Sequence, residues 1–251
     1  MTESRATRSA RPGRGGAGRL LGGPWAVLVA LAVMLPAGVA GLAFARSERS
    51  AWWWAGRVLR LAGRLTGVLP RRTVRLPEGP FVAVSNHASN LDPLILIAAF
   101  DRPVAFTAKR EVFAWPLVGA YARRMGSIPV ERGRPGARAR AFRAAARAVQ
   151  AGRPVHFFPE STLSAEPGLL PFRLGAFRLA AAHGLPIVPV VIAGSRRVLP
   201  PDAWLPRPSP LEVRVLPAIE PPDGAGDPET LAAFRDRVRE ALAGELGGLA
   251  G

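Results

Sequence analysis

The sequence predicts an α/β domain with a mostly parallel sheet, preceded by an N-terminal membrane anchor. From residue 72 onward, short apolar runs alternate with stretches of helical periodicity, a pattern typical of a parallel sheet covered by helices. Residues 21–45 carry no charged side chain, and these 25 residues are enough to cross a bilayer as a helix. The 251 residues can build one large core, and the 49% hydrophobic content excludes disordered and fibrous classes.

The N-terminal region divides into a basic tail, residues 1–20, and the apolar segment, residues 21–45. A cleavable signal peptide is the competing interpretation, since the tail is basic and residues 43–45 resemble a cleavage site. We expect a retained anchor, because the uncharged run is long for a signal peptide and tryptophans follow it. Both flanks are basic, so they do not choose an orientation for a single span. A hairpin bent at residues 36–38 would keep both flanks on the cytoplasmic side.

Residues 46–71 are predicted to form an interfacial amphipathic helix. The three tryptophans at 52–54 provide apolar surface at the depth of the lipid headgroups. Arginines recur at spacings of three and four, so they share one helix face: Arg57, Arg60 and Arg64. The alternative is an ordinary amphipathic helix that packs on the domain.

Residues 72–251 are predicted to form the α/β domain. The strand candidates are 81–85, 104–107, 127–130, 155–158, 187–192 and 211–216. The helix candidates are 93–100, 115–125, 136–151, 174–183 and 228–246. The last helix places an apolar stripe on one face, so we expect it to cover the core.

A candidate acid–base pair follows the first of these strands. Residues 85–92 read Ser-Asn-His-Ala-Ser-Asn-Leu-Asp, and Pro93 directly afterwards is a signal for the start of a helix. His87 is therefore expected in the turn at the carboxyl end of a strand, where sites of open α/β sheets form. Asp92 can fold back and accept a hydrogen bond from one imidazole nitrogen, which leaves the other nitrogen as a base. A structural loop histidine beside a capping aspartate is the alternative.

The residue types narrow the chemistry further. The chain has no cysteine, which excludes disulfides, a thiolate nucleophile and cysteine-ligated metals. No serine lies in a nucleophile-elbow motif, so His87 would act on a hydroxyl of the substrate itself. His156, inside a strand, and His183, near a helix end, are expected to be structural. We expect no metal site.

These motifs resemble the glycerolipid acyltransferase family, the lysophospholipid acyltransferases, over about residues 72–218. Asn86, His87 and Asp92 match the first motif, Asn-His-x4-Asp, in which the histidine and the aspartate are the catalytic pair. Residues 126–132 resemble the second motif, in which Arg132 would bind the acceptor, and Lys109 matches a basic residue upstream of it. The apolar strand at 187–192, which contains a proline, matches the fourth motif.

The third motif of the family, usually Phe-Pro-Glu-Gly-Thr-Arg-Ser, is changed at two positions in residues 158–164. Ser161 stands in place of the glycine and Leu163 in place of the arginine. In the family this arginine contributes to binding the acceptor's phosphate, so the acceptor stays open. Arg132, Lys109 or Arg173 could supply the missing charge. The residues expected to bind substrate are Asn86, Lys109, Arg132, Glu160, Ser161, Thr162 and Arg173.

The resemblance implies a glycerol-3-phosphate acyltransferase-like fold and a membrane-bound acyltransferase at the cytoplasmic face of the cell membrane. It would move a fatty acyl group from acyl-CoA or acyl carrier protein to the free hydroxyl of a lysophospholipid, foremost 1-acylglycerol-3-phosphate. The expected partners are membrane lipids and the acyl donor, with no cofactor.

Three alternatives stay open. The acceptor could be another lysolipid, such as a lyso-aminolipid. The chain could be a homologue that has lost its activity. It could also be a non-catalytic, membrane-anchored basic module that binds anionic lipid or nucleic acid. The net charge of +16 favours this last alternative, but the sequence contains no nucleic-acid motif, so nucleic acid is not an expected partner.

Overall fold

The computed structural model describes residues 16–70, 73–131, 133–163, 166–223 and 227–250, with side chains from residue 23 to residue 249 within these ranges. The helices are α1 (Gly16–Val29), α2 (Leu35–Phe44), α3 (Glu48–Thr66), α4 (Asp92–Ala99), α5 (Pro116–Arg124), α6 (Ala137–Gln150), α7 (Gly175–Ala182), α8 (Ser195–Val198) and α9 (Pro228–Ala250). A π-helical turn (Ala30–Met34) joins α1 to α2, and a 3₁₀-helix (Arg110–Ala114) precedes α5. The strands are β1 (Val82–Ser85), β2 (Ala105–Lys109), β3 (Ile128–Val130), β4 (Val155–Phe157), β5 (Ile187–Ala193) and β6 (Glu212–Val215).

The strands of the described residues form one sheet in the order β3-β2-β4-β1-β5-β6. All neighbouring pairs are parallel except β5 and β6, which are antiparallel. Strand β1 lies inside the sheet, and its Val82 is paired with Val155 of β4 and Ile187 of β5. Because these three strands are parallel neighbours, their carboxyl ends meet at one edge.

Apolar layers cover both faces of the sheet. Side chains of β1 alternate between the layers: Ala83 belongs to the layer formed with α3 and α4, and Val82 to the layer formed with α7 and α9. Every residue of β1 is fully buried, as expected for a parallel strand covered on both sides. Phe177 of α7 and Phe234 of α9 meet edge to face in the second layer.

This architecture confirms the predicted α/β fold with a mostly parallel sheet. Each predicted strand is present, and its limits differ from the expected ones by at most two residues. Helix α9 continues beyond the predicted end at residue 246, past Gly247 and Gly248. Leu246 and Leu249 pack on the apolar layer of α7, so burial outweighs the low helix propensity of the glycines. The short helix α8 was not predicted.

The N-terminal helix is long and apolar enough over Gly23–Phe44 to cross a membrane, judged by length and composition. The helix continues through residues 36–38, so the alternative of a hairpin bent at that point is wrong. The π-helical turn ends at Met34, two residues before Pro36, and its shifted backbone hydrogen bonds let the helix pass the proline. The chain reverses instead before α3, where Ser47 caps the helix.

Helix α3 packs between the N-terminal helix and α4. The indole nitrogen of Trp25 donates to the Leu65 carbonyl at 2.8 Å, and Arg60 donates to the Ala98 carbonyl at 3.1 Å. Trp52 is 4% exposed and stacks on Phe106, so the prediction that it faces a membrane surface is wrong. The Trp52 side chain is buried in the large apolar layer beneath α3. The spacing of the tryptophans in the sequence does not reveal this layer, because it is formed by residues distant in the chain.

The two neighbouring tryptophans of α3 should differ sharply in their contribution to stability. Trp52→Ala removes a buried ring and should lower the free energy of unfolding by about 3–5 kcal/mol. Trp53 is 50% exposed and contacts Arg57, so Trp53→Ala should cost no more than about 1 kcal/mol. Denaturant unfolding of both variants in the same detergent measures the difference. Equal losses would contradict the position of Trp52 in the core.

Candidate active site

The candidate site lies where the carboxyl ends of β4, β1 and β5 meet. We call residues 86–92, which connect β1 to α4, the His87 turn. Because β1 lies between β4 and β5, the loop after β4 passes one side of this turn and the end of β5 passes the other. The predicted first, third and fourth motifs are therefore neighbours in space, although about a hundred residues separate the first from the fourth along the chain.

Asp92 organises the turn with one carboxylate oxygen. Its Oδ2 atom lies 2.9 Å from His87 Nδ1 and accepts the backbone N–H groups of Ala88 at 2.7 Å and Ser89 at 2.8 Å. Asp92 is fully buried, while the His87 side chain keeps 18% of its surface exposed. Three donors on one oxygen stabilise the ionised carboxylate, which offsets the cost of burying it. The pair predicted from the sequence is thus brought together at hydrogen-bond distance.

The contact with Asp92 sets the tautomer of His87. A carboxylate only accepts, so Nδ1 carries the proton and Nε2 keeps a lone pair. The His87 ring also stacks on Phe158, with centroids 4.0 Å apart and 22° between the planes. These two contacts orient the imidazole with its basic nitrogen turned away from Asp92, an arrangement suited to removing a proton from a bound hydroxyl.

Glu160 links the His87 turn to the loop that follows β4 through two hydrogen bonds. Its Oε1 accepts the backbone N–H of His87 at 2.8 Å, and its Oε2 accepts that of Leu170 at 2.9 Å. Burial raises the pKa of the Glu160 carboxyl above its ordinary value, while these two N–H groups act against the rise. Glu160 was predicted to bind substrate. Both of its oxygens hold backbone amides, so we assign it a positioning role.

Asn86 braces the turn on the side of β5. Its Nδ2 donates to the Ile192 carbonyl at 2.9 Å, and its Oδ1 accepts the Ile192 N–H at 2.8 Å. The side chain is buried, and its amide group makes the same pair of hydrogen bonds to Ile192 that a backbone amide of a neighbouring strand could make. Its prediction as a substrate-binding residue is replaced by this positioning role, because the amide group is already engaged on both sides.

His156 is a buried neutral histidine beneath the site. Its Nε2 lies 3.0 Å from Ser85 Oγ, and its ring contacts Phe106 and Phe158. Complete burial, with the nearby charge of His87, lowers the pKa of His156 to about 3. The ring therefore packs as an aromatic side chain, in agreement with the structural role predicted for it.

The third motif shows why the first of its two changed positions, residue 161, usually holds glycine. Ser161 has φ of 61°, the left-handed conformation that glycine adopts without steric cost. Thr162 is exposed and does not line the cavity beside His87. The binding roles predicted for Ser161 and Thr162 stay predictions.

The predicted cations lie at different distances from His87. Arg132 falls outside the described residues; its neighbour Glu131 pairs with Arg110, Arg134 and Arg140. Lys109 is exposed at the carboxyl end of β2, two strands from β1, which corresponds to ~10 Å.

Arg173 is also exposed. Its backbone N–H binds the Pro159 carbonyl at 2.9 Å. This contact ties the segment before α7 to the third motif, but neither Arg173 nor Lys109 lines the cavity beside His87.

A cavity of about 400 Å³ opens beside the His87 turn. Its lining includes His87 and three arginines that the sequence analysis did not select: Arg196, Arg197 and Arg239. The sequence already indicated Arg196 and Arg197 as candidates, because they follow shortly after the strand of the fourth motif. A larger cavity of about 780 Å³ is lined by residues near the end of α3 and at 208–213; the His87 turn does not contribute to it.

Residues 68–193 match the family model described as Acyltransferase. This segment is about half of the chain and contains the His87 turn, Glu160 and Ile192. The chain belongs to the acyltransferase family.

Two relatives of this acyltransferase are named as 1-acyl-sn-glycerol-3-phosphate acyltransferases. A chloroplastic 1-acyl-sn-glycerol-3-phosphate acyltransferase of Brassica napus is 36% identical over 123 residues, which are 49% of this chain and 36% of the relative. A 1-acyl-sn-glycerol-3-phosphate acyltransferase alpha of Homo sapiens is 33% identical over 168 residues, 66% of this chain and 58% of the relative. The chain thus spans between about a third and somewhat over half of the length of these relatives.

A solved structure supports the fold of this acyltransferase. PlsC of Thermotoga maritima, a 1-acyl-sn-glycerophosphate acyltransferase, superposes with a TM-score of 0.72 and 22% sequence identity. The superposition covers 93% of this chain and 96% of PlsC, so the similarity includes most of the N-terminal helical region. Among the described residues, no group of three His, Asp or Glu side chains is arranged to hold a metal ion.

Removing the charge of Glu160 should loosen the His87 turn. Glu160→Gln replaces one acceptor oxygen by an NH₂ group that faces a backbone donor, which should cost about 1–3 kcal/mol of unfolding free energy. Hydrogen exchange of the His87 and Leu170 amides should accelerate at the same time. Glu78→Gln, at an exposed turn, is the matched control. Unchanged protection of both amides in Glu160→Gln would contradict the bracing role.

The buried His156 should make the stability of the acyltransferase pH-dependent. Below pH 6.5 the unfolded chain protonates this histidine, while the folded chain, with a pKa of about 3, does not. Its contribution to the unfolding free energy should therefore fall by about 1.4 kcal/mol per pH unit as the pH drops from 6.5. Denaturant unfolding of wild type and His156→Gln between pH 4.5 and 7 measures this slope. A slope that is undiminished in His156→Gln would refute the assignment.

Proposed function

We propose that this chain transfers a fatty acyl group from an acyl thioester to the free hydroxyl of a lysophospholipid, with 1-acylglycerol-3-phosphate as the foremost acceptor. The observation that carries the proposal is the contact between His87 and the buried Asp92. The names of the relatives support the acceptor class. The donor is acyl-CoA or acyl carrier protein, and the reaction requires no cofactor.

His87 acts as the general base. Its Nε2 takes the proton of the acceptor hydroxyl as the oxygen attacks the thioester carbonyl carbon. The carbon–sulfur bond breaks, the ester forms, and the thiolate leaves. The imidazolium then gives up its proton to the thiolate or to solvent, which restores the base. In this mechanism the acyl group passes directly to the acceptor, without a covalent acyl-enzyme intermediate.

Asp92 supplies the electrostatic part of the mechanism. Proton transfer turns His87 into a cation 2.9 Å from a buried carboxylate, and this pairing stabilises the charge that develops in the transition state. The backbone amides of Ala88 and Ser89 keep the carboxylate fixed, so the pair needs no rearrangement during the reaction.

The apolar N-terminal segment attaches the enzyme to the cytoplasmic face of the membrane. The segment packs along α3, which carries Arg57, Arg60 and Arg64, and each arginine would cost about 2.5–3.5 kcal/mol at the centre of a bilayer. We therefore propose that the helix pair lies in one leaflet rather than crossing the bilayer. Apolar side chains on its outer surface remain exposed in the structure: Leu28, Leu31, Leu35, Val39, Phe44, Leu61 and Leu65.

The proposed mechanism predicts a strong effect of substitutions in the acid–base pair. His87→Ala should abolish transfer from acyl-CoA to 1-acylglycerol-3-phosphate, and Asp92→Asn should lower kcat by about 10³–10⁴-fold, since the tautomer is no longer fixed. His183→Ala, a partly exposed histidine at the end of α7, is the matched control and should keep normal turnover. Turnover close to wild type in folded His87→Ala would disprove the mechanism.

The same assay decides between acceptors. Leu163 carries no charge at the position where the family has arginine, which favours a phosphate-free acceptor such as a lyso-aminolipid as the second candidate. Wild-type protein acting on a lyso-aminolipid and not on 1-acylglycerol-3-phosphate would establish that candidate. Activity on neither acceptor would favour a non-catalytic homologue.

A further inference from the structure

The cavity beside His87 carries an excess of positive charge. Arg196 and Arg197 of α8 and Arg239 of α9 all line it. Among the described residues of the lining, Glu160 is the one carboxylate, and its two oxygens are occupied by backbone N–H groups. Three arginines therefore contribute positive charge to the lining of this cavity.

The arginines of α8 are held in a fixed relation to the His87 turn. Asn86 clamps Ile192 at the end of β5, and α8 begins three residues later. The turn between them uses Gly194 at φ of 90°, where a Cβ atom would lie 2.1 Å from the Pro210 carbonyl oxygen. Only glycine fits this reversal, so the path from the His87 turn to Arg196 and Arg197 is tightly constrained.

Arg239 reaches the same cavity from α9. Its Nη2 donates to the Leu169 carbonyl at 3.2 Å, next to the Leu170 amide that Glu160 binds. Its Nε is buried and makes no hydrogen bond to the described residues. A buried N–H of a charged group without an acceptor is unfavourable, and an anionic oxygen in the cavity would provide that acceptor.

The ligand that fits is a phosphate on an apolar body. A guanidinium group matches two phosphate oxygens at once, which favours arginine for phosphate recognition. Leu246 and Leu249 of α9 line the same cavity and add apolar surface. The third motif has Leu163 at the position where the family has a phosphate-binding arginine. The positive charge that binds a phosphate therefore has to come from another element.

We propose that Arg196, Arg197 and Arg239 bind a phosphate group of a substrate in the acyl transfer. This assignment rests on the proposed function, since it is the reaction at His87 that brings a phosphate-bearing substrate here. Two substrates carry such a group: the acceptor, as a terminal phosphate, and coenzyme A, as the phosphates of the donor. The cluster serves one of them.

The test compares binding and turnover of the full-length protein with and without the cluster. The variants are Arg239→Gln and the double variant Arg196→Gln with Arg197→Gln. Arg143→Gln, exposed in the middle of α6, is the control for the loss of one positive charge. Calorimetric titrations in detergent use three probes: 1-acylglycerol-3-phosphate, monoacylglycerol and coenzyme A. Steady-state assays give kcat and KM for each substrate.

The expected result is a rise of at least tenfold in the Kd of one phosphate-bearing probe in both cluster variants, with monoacylglycerol binding unchanged. A rise for 1-acylglycerol-3-phosphate assigns the cluster to the acceptor, and a rise for coenzyme A assigns it to the donor. The KM of the same substrate should rise with it, and Arg143→Gln should behave as wild type.

Kd values for both phosphate probes that match Arg143→Gln would overturn the inference. If Arg239→Gln does not fold, as judged by circular dichroism, the double variant in α8 decides alone. The titrations do not depend on turnover, so a wild type that binds a phosphate probe through the cluster but transfers no acyl group would refute the proposed function and not this binding site.

Discussion

A single buried carboxylate oxygen, Oδ2 of Asp92, is the interaction on which the candidate site depends. It lies within 2.9 Å of the His87 ring nitrogen and of the amide nitrogens of Ala88 and Ser89. Burying a charge requires donors, and the turn supplies three of them by folding back on the start of α4. The same contacts therefore determine the conformation of the turn, the orientation of the imidazole ring and the nitrogen that carries its proton.

The sheet holds this turn from both sides. Asn86 joins it to the end of β5 and Glu160 joins it to the loop after β4, each with hydrogen bonds to backbone groups. This arrangement is possible because β1 lies between two parallel neighbours, so all three chain segments leave the sheet at the same edge. A catalytic pair needs its geometry held within a fraction of an ångström, and buried backbone hydrogen bonds provide that rigidity more reliably than exposed side chains.

The changed third motif separates the shape of the loop from its charge. Ser161 adopts the left-handed conformation that the usual glycine would take, at a cost of about 1–2 kcal/mol, so the loop keeps a backbone suited to placing Glu160. Leu163 removes a positive charge without affecting that backbone requirement. The loop thereby keeps the backbone that positions Glu160, while residue 163 carries no positive charge.

The sequence by itself determined the order of strands and helices, the mostly parallel sheet and the pairing of His87 with Asp92. These features follow from local patterns: alternating apolar runs, a helix start beside Asp92 and a spacing of five residues. Only the tertiary structure decided which side chains are already engaged, because burial and backbone partners come from segments distant in the chain. Glu160 and Asn86 are positioning residues for this reason, and Trp52 lies in the core. Arg239 reaches the cavity because α9 packs against β5 near His87, a proximity that the 151 intervening positions of sequence do not encode locally.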